Sequence, residues 1–301
     1  MEKKKYIVFH IDGGMGKGIL ATAVVEAVKK KYPDYHIIVV TAWDAPWFHN
    51  PHIHRVVAFN EIQWFYKRYI SPDTIVMRFD PYHSEDYIMQ RKHLIKTWCD
   101  IYDIPYNGEK PKIYLTPREM ELVTDKLNQK NDNVRNFGKP LMVIQSHGGA
   151  GNQESNKSWA RDLPMKTAQN VVNAFANDYR ILHIRREDQP QLDNTEWVSL
   201  PHRELYAIIQ LSQKRLFIDS FCQHAASALQ LPSTVCWVVN RPQIFGYKLH
   251  NNILPVAEVY SEFNKFSYLE KYDITGKVVE YPYKTLDICN DNQIIESIKK
   301  Q

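Results

Sequence analysis

Residues Leu216–Pro232 read LFIDSFCQHAASALQLP, and this stretch decides the fold. An apolar run that ends in Asp219-Ser220 predicts a strand, and the small residues around His224 predict a helix that opens almost at once. Such a junction places backbone N–H groups, a hydroxyl and an imidazole at a helix N-terminus, where phosphate groups bind readily. An ordinary junction with Asp219 or Ser220 as the N-cap explains much of the same pattern, although it leaves His224 without a role.

Strand and helix candidates alternate along the chain in two series. The first series contains strands Lys5–His10, Tyr35–Thr41, Arg55–Phe59 and Thr74–Phe79 and helices Gly16–Lys31 and Glu85–Asp100. The second contains strands Leu141–Gln145, Arg180–Ile184, Leu216–Asp219 and Thr234–Val238, and helices Met165–Asn177, Arg203–Gln213, one after Cys222, and Asn292–Lys300. This alternation predicts parallel sheets with helical crossovers.

The polar stretch Asp125–Lys139 separates the two series and is typical of a helix end followed by a linker. We therefore predict an α/β protein with two Rossmann-like domains, residues 1–138 and 139–301, facing a cleft. As an alternative to packing on its own domain, the last helix could pack on the N-terminal domain.

Length and composition suit two globular domains. Of the 301 residues, 44% are hydrophobic and 24% are charged. No apolar run approaches the roughly 20 residues that cross a bilayer, and no signal-peptide core precedes the first strand. We therefore expect a cytoplasmic protein. The four cysteines form no CxxC pair, and a net charge of +4 is too small to indicate nucleic acid by itself.

The first strand runs into a glycine loop, Asp12–Gly18, for which several interpretations compete. A Walker A loop is excluded because Ile11 and Gly18 stand where glycine and Ser or Thr are required. A dinucleotide fingerprint fits only as Gly16-x-Gly18-x-x-Ala21, and its acidic partner Asp44 comes late. The loop either lines one wall of the cleft or forms a tight strand–helix turn.

Together, four segments resemble the ADP-heptose:lipopolysaccharide heptosyltransferases, family 9 of the glycosyltransferases. The opening loop and helix, GGMGKGILATAVVEAVKKKYPDYHIIVV, are similar to the family's first strand, glycine turn and helix. Asn50-Pro51 is similar to a short element before the third strand, and Val143–Trp159 to a strand, glycine-rich loop and Lys-x-Trp element. The pattern Asp219-Ser220-x-x-x-His224-Ala225-Ala226 is similar to the donor-binding motif.

The resemblance implies the GT-B architecture, with an N-terminal acceptor domain and a C-terminal nucleotide-sugar donor domain. It also implies transfer of a sugar from an ADP-heptose-like donor to a saccharide such as lipopolysaccharide core, hence a role in lipopolysaccharide biosynthesis. No Asp-x-Asp sequence follows a strand, so we expect no metal and no cofactor. A helix N-terminus with nearby cations can instead neutralise the departing diphosphate. The expected donor-binding residues are Lys157, Asp219, Ser220, His224, Gly148 and Gly149.

The chain departs from the family at two places. The family's helix opens with Gly-Asp, whose aspartate is the proposed general base, whereas this chain has Gly16-Lys17. Lysine is cationic at neutral pH and is by default a poor base. Asp12, in the same loop, could supply the carboxylate, so Asp12 and Lys17 are the catalytic candidates. At the second place, Phe221 replaces the glycine expected after Asp219-Ser220.

The acceptor side is expected in the N-terminal half, at Gly14, Gly16, Lys67 and Arg68. The stretch Gln63–Ile70 (QWFYKRYI) interleaves aromatic and basic residues, which suits an anionic saccharide, a glycolipid or the inner-membrane surface. The same composition suits single-stranded nucleic acid, although nucleic acid is not expected. A half-buried helix with snorkelling basic residues is the favoured explanation of the stretch.

Two alternatives stand beside the leading function. Lys17 at the position of the base favours a catalytically altered GT-B protein that binds a nucleotide sugar without transferring it. The second alternative is a glycosyltransferase whose acceptor is a nucleic acid or a protein.

Overall fold

Two parallel β-sheets, each with its own helices, form the protein. The computed structural model describes residues 4–58, 63–129, 138–148, 161–257, 283–285 and 287–301. In the first sheet the strands are β1 (Lys5–Ile11), β2 (Tyr35–Thr41), β3 (Arg55–Val57) and β4 (Ile75–Met77). Their order is β3-β2-β1-β4, and every neighbouring pair is parallel. The helices of this part are α1 (Met15–Lys31), α2 (Phe65–Tyr69), α3 (Glu85–Ile88) and α4 (Leu94–Ile101).

Both faces of the first sheet are covered by side chains from helices. Register pairs Val8 with Ile38, so these residues share a face, and there they pack with Tyr69 of α2. On the opposite face, the Phe9 ring lies 5.5 Å from the Trp98 ring of α4, centroid to centroid. Burial on both faces explains why β1 and β2 are continuous apolar runs.

The second sheet has six parallel strands in the order β10-β9-β8-β5-β6-β7. These are β5 (Leu141–Ile144), β6 (Arg180–Ile184), β7 (Glu196–Val198), β8 (Lys214–Ile218), β9 (Thr234–Cys236) and β10 (Asn251–Ile253). Its helices are α5 (Pro117–Gln129), α6 (Met165–Phe175), α7 (His202–Leu211), α8 (Phe221–Ala228), α9 (Pro242–Phe245) and α10 (Asp291–Lys299).

The core of this second part lies between the sheet and helices α6 and α10. Ile294 and Ile298 of α10 are fully buried in one cluster with Val171 of α6 and Leu216 of β8. The last helix therefore packs on the second sheet; its packing on the N-terminal domain stays a prediction.

The division between the two compact units also lies earlier than the sequence indicated. It falls between Tyr114 and Leu115, whereas the predicted boundary was 138/139. The reason is α5, which begins with a capping box: Thr116 N–H donates to Glu119 Oε2 at 2.7 Å, and Glu119 N–H to Thr116 Oγ1 at 3.2 Å. Glu119 then pairs with Arg203 of α7 at 2.7 and 2.8 Å, which fixes α5 to the second unit. The predicted linker thus begins inside this helix, and its residues 130–137 lie outside the described residues.

Most predicted elements are present, and the main differences concern one helix and two edge strands. The predicted helix Glu85–Asp100 is two helices, because Gln90 adopts a left-handed conformation (φ 53°) and His93 Nδ1 caps α4 by accepting from Ile95 N–H. Strands β7 and β10 were not predicted; each is three residues long and lies at an edge of the second sheet. In the described part of the chain, no helix is both long and apolar enough to cross a membrane.

Candidate functional site

The order of the second sheet creates a natural binding position. From β5 the chain moves outward through β6 and β7 and then returns to β8, on the other side of β5. Ligands of open α/β sheets bind beyond the carboxyl ends of the strands at such a topological switch point. Gln145 follows β5 and Asp219 follows β8, so the motif that decides the fold lies at this position.

The N-terminus of α8 is capped by Ser220. The hydroxyl of Ser220 accepts a hydrogen bond from Cys222 N–H at 3.3 Å and donates one to the side-chain oxygen of Gln145. Of the two predicted caps, Ser220 is therefore the one used. The first turn of this helix directs its backbone N–H groups and the positive end of the helix dipole beyond the sheet edge, an arrangement suited to an anion.

Asp219 and His224 are buried and held by partners from the next segments of the chain. The Asp219 carboxylate accepts from the side-chain amide of Asn240, which follows β9. His224 Nδ1 lies 2.7 Å from the hydroxyl of Tyr247. Both site side chains are thus fixed in position before any ligand binds.

Phe221, the departure from the family pattern, is accommodated by the neighbouring helix. Its ring lies 5.8 Å from the ring of His202, at the start of α7, in an edge-to-face arrangement. The replacement leaves the capping geometry of Ser220 intact.

The glycine loop after β5 is anchored at Gly148. The N–H of Gly148 donates to Asp162 Oδ1 at 2.8 Å, and its carbonyl accepts from Gln189 Nε2 at 3.0 Å. A Cβ atom at this position would lie 2.8 Å from Cδ of Arg161, so the close approach that requires glycine is to Arg161. The predicted donor residues Gly149 and Lys157 lie outside the described residues.

The first sheet has a switch point of its own, between β1 and β4. Asp12 follows β1 with a side chain that is 54% exposed, and its Oδ2 atom lies 3.5 Å from His10 Nδ1. Burial lowers the pKa of His10; the charge of Asp12 opposes this shift and that of Arg78 adds to it. A neutral imidazole and an accessible carboxylate therefore meet at this edge of the sheet.

Lys17 is not available at the surface. Its side chain is 3% exposed, its ammonium group forms an ion pair with Asp80, and Nζ lies 4.5 Å from the centre of the Tyr82 ring. Asp80 follows β4, and its other oxygen accepts from Tyr82 N–H at 2.9 Å. The lysine that replaces the family's aspartate thus faces a carboxylate from the neighbouring strand.

The glycines of the loop have different roles. Gly13 has φ +99°, and a Cβ atom there would lie 3.1 Å from Cδ of Lys17. Gly14 is the N-cap of α1, with φ −83° and open space around it, and Gly16 lies in the first turn of the helix. The loop thus forms a tight strand–helix turn, one of the two interpretations of the sequence. That it also lines a cleft stays a prediction.

Lys67 and Arg68 are exposed residues of α2, on the face of the first sheet that also bears His10. The Arg68 guanidinium lies 5.0 Å from the centre of the Trp64 ring, and that of Arg55 lies 5.9 Å from it. These basic and aromatic side chains form one exposed surface.

Sequence reasoning missed Asp80, Asn240, Tyr247 and Gln145. Asp80 had a usable signal, since it is an acidic residue directly after a strand. The other three carry no pattern of their own, and only the folded chain brings them to the site. Among the described residues, no group of three His, Cys, Asp or Glu side chains could hold a metal ion.

Comparisons with known proteins find similar solved structures but no similar sequence family. No protein-family model matches the sequence, and no curated protein matches it. Among solved structures, a family 9 glycosyl transferase from Veillonella parvula DSM 2008 is similar with a TM-score of 0.68 at 13% identity, covering 100% of this chain and 98% of that one.

Two structures from E. coli are also similar. The ADP-heptose LPS heptosyltransferase II has a TM-score of 0.67 at 11% identity, with 99% of this chain and 98% of that chain covered. A heptosyltransferase solved with ADP has a TM-score of 0.57 at 10% identity, with 98% and 99% covered. The chain therefore has the α/β fold of the family 9 glycosyltransferases, that of the GT-B class.

Proposed function

We propose that this protein is a glycosyltransferase that moves a sugar from a nucleotide-diphosphate sugar, of the ADP-heptose kind, to a saccharide acceptor without a metal. The observation that carries the proposal is the position of the polar residues. In each sheet they follow the two strands that flank the topological switch point, where α/β proteins bind ligands. The similar structure solved with ADP supports a nucleotide as the ligand.

The donor half of the reaction belongs to the second sheet. The N–H groups of the first turn of α8 and the His224 imidazole can donate hydrogen bonds to a diphosphate, while the Ser220 hydroxyl caps the helix and fixes its start. As the bond between sugar and diphosphate breaks, the leaving diphosphate gains charge, and the positive end of α8 stabilises it. Asp219 and Asn240 position this helix start. Lys157 remains a proposed cation for the diphosphate.

The acceptor half belongs to the first sheet, with Asp12 as the general base. Asp12 is accessible, whereas the carboxylate of Asp80 already accepts from Lys17 and Tyr82. Asp12 would take the proton of the acceptor hydroxyl while the oxygen forms its bond to the sugar. Lys17 then acts through Asp80, holding the end of β4 beside the loop.

The exposed surface of Arg55, Trp64, Lys67 and Arg68 fits an anionic acceptor. Aromatic side chains stack on sugar rings, and guanidinium groups bind carboxylate or phosphate. Lipopolysaccharide core, or another glycolipid at the inner membrane, has this chemistry. A cytoplasmic site of action is part of the proposal, and the four free cysteines support a reducing compartment.

The second candidate is a protein that binds a nucleotide sugar without transferring it, and the buried Lys17–Asp80 pair favours it. A thermal-shift panel of ADP-, GDP-, UDP-, CMP- and dTDP-sugars in EDTA identifies the donor. Nucleotide release in the presence of lipopolysaccharide-core, nucleic-acid and protein acceptors then tests transfer. We expect Asp12→Asn to keep donor binding and to lose transfer by about a hundredfold or more, the usual contribution of a general base.

A donor that shifts the melting temperature but is never consumed would favour the binding protein. A strict requirement for a divalent metal would contradict the mechanism.

A further inference from the structure

Trp197 is an exposed tryptophan that is held in a fixed orientation. It lies on the edge strand β7, and 45% of it is exposed. Its indole N–H donates to the carbonyl of Arg185 at 2.9 Å, and the guanidinium carbon of Arg185 lies over the ring, 4.9 Å from its centre. Because Arg185 directly follows β6, the indole lies beside the carboxyl end of that strand.

The loop that follows β6 holds Arg185 in turn. Its Nη1 atom donates to the carbonyl of Gln189 at 2.7 Å, and its Nε atom donates to the side-chain oxygen of Gln191. A guanidinium can stack on an aromatic ring while its N–H groups bind elsewhere in the same plane. The indole and the guanidinium therefore form a pair that is ordered before any ligand binds.

The same loop connects this pair to the donor site. Gln189 is buried, and its Nε2 atom donates to the carbonyl of Gly148 at 3.0 Å. Gly148 belongs to the glycine loop after β5, on one side of the switch point. Trp197, Arg185, Gln189 and Gly148 thus form a continuous series of contacts along the carboxyl edge of the second sheet.

The strand order separates Trp197 from the start of α8 by a distance that suits a nucleotide. Helix α8 follows β8, and only β5 lies between β8 and β6. At the usual spacing of parallel strands, the ends of β8 and β6 are roughly 10 Å apart. A nucleotide spans such a distance between its diphosphate and its base. A diphosphate at the start of α8 therefore allows the base to reach the indole.

We propose that Trp197 is the stacking platform for the nucleobase of the nucleotide sugar, on the ring face opposite Arg185. The ligand rests on the proposed function, in which α8 binds the diphosphate. Every base has a flat π-face that can stack on an indole, so the platform contributes affinity for the nucleoside without choosing among bases. A platform fixed before binding also reduces the entropy lost when the nucleotide binds.

Fluorine NMR of the full chain labelled with fluorotryptophan tests the contact in the wild-type protein. The Trp197 signal is the one that Trp197→Phe removes. We expect this signal to shift when ADP binds, because a stacked base lies directly against the indole. A Trp197 signal that does not move while ADP is bound would overturn the inference and leave the proposed function standing.

Calorimetric titration with ADP, GDP, UDP and CDP measures what the ring contributes. For each nucleotide that binds, we expect Trp197→Ala to weaken binding about tenfold, the usual effect of removing a stacking ring, and Trp197→Phe to bind nearly as wild type. Leu254→Ala is the control and should bind as wild type, because Leu254 is 55% exposed and follows β10, at the opposite edge of the same sheet.

The titrations separate the platform from the proposed function. Equal affinity of wild type and Trp197→Ala for a nucleotide that binds would overturn the platform alone. Absence of binding by wild type for all four nucleotides would overturn both the platform and the proposed function.

Discussion

Lys17 stands where the resemblance to family 9 places a general base, and its ammonium group lies in a closed environment formed by Asp80 and two aromatic rings. Nζ is 4.5 Å from the centre of the Tyr82 ring and 5.6 Å from that of Trp98. A buried cation is stable only with a partner, and here the partner comes from the adjacent strand. The sequence could indicate that position 17 differs from the family pattern. It could not indicate which carboxylate forms an ion pair with the lysine.

Removing the charge of Lys17 should therefore destabilise the fold. We expect Lys17→Met to lower the free energy of unfolding by about 2 kcal/mol, because it leaves the partly buried Asp80 without its cation. The double variant Lys17→Met/Asp80→Asn should recover part of this loss, because neither charge remains. Urea unfolding of Lys17→Met, Asp80→Asn and the double variant measures the effect. A double variant that shows the sum of the two single losses would contradict a direct pair.

Gly13 and Gly14 provide a matched comparison in the same loop. Gly13 has φ +99°, and a Cβ atom there would lie 3.1 Å from Cδ of Lys17, whereas Gly14 has φ −83° and open space at its Cβ position. We expect Gly13→Ala to cost about 1–2 kcal/mol of stability and Gly14→Ala to cost less than about 0.5 kcal/mol. Thermal unfolding distinguishes them, and equal losses would argue against the strained turn.

Helices and strands were predictable where their apolar residues are buried along their length. Strands β2 and β6 have the predicted bounds because most residues of β2 and all residues of β6 are buried. Edge strand β7 was not predictable, because it has only three residues and one of them, Trp197, is 45% exposed. Its pairing with β6 exists only in the assembled sheet. The break at Gln90 was also hidden, because the pattern on either side of it is helical.

Helix α5 is joined to α7 by a strong ion pair between Glu119 and Arg203. The two hydrogen bonds from Arg203 lower the pKa of Glu119 to about 2, against 4.5 ordinarily. Because the folded pKa is the lower one, this contribution is complete above about pH 4.5 and disappears as the pH falls towards 2. We expect Glu119→Gln to cost about 2 kcal/mol at pH 7, allowing for the solvent exposure of the pair.

Urea unfolding at pH 7 and at pH 3 tests this ion pair. The difference between wild type and Glu119→Gln should shrink at the lower pH. Lys126→Met, which removes the more exposed pair of Lys126 with Glu204, is the control and should cost less than about 1 kcal/mol at pH 7. A Glu119→Gln loss that is the same at both pH values would contradict the assignment.

For the whole molecule, the sequence predicted two parallel sheets and the strand-to-helix junction at Asp219-Ser220. It did not predict the boundary, because the polar composition of Asp125–Lys139 is that of an exposed helix end as well as of a linker. Nor could it give the strand order that places Asp12 and Asp80, or Gln145 and Asp219, around switch points. Those neighbours are set by the packing of whole elements, which no short motif specifies.

The central claim is that the start of α8 binds a nucleotide diphosphate. Its most direct test is calorimetric titration of ADP-heptose, with EDTA present, into wild type, Ser220→Ala and Ser227→Ala, both serines being buried residues next to or within α8. We predict binding by wild type, about tenfold weaker binding by Ser220→Ala, and unchanged binding by Ser227→Ala. No binding by wild type, or equal weakening by the two substitutions, would contradict the claim.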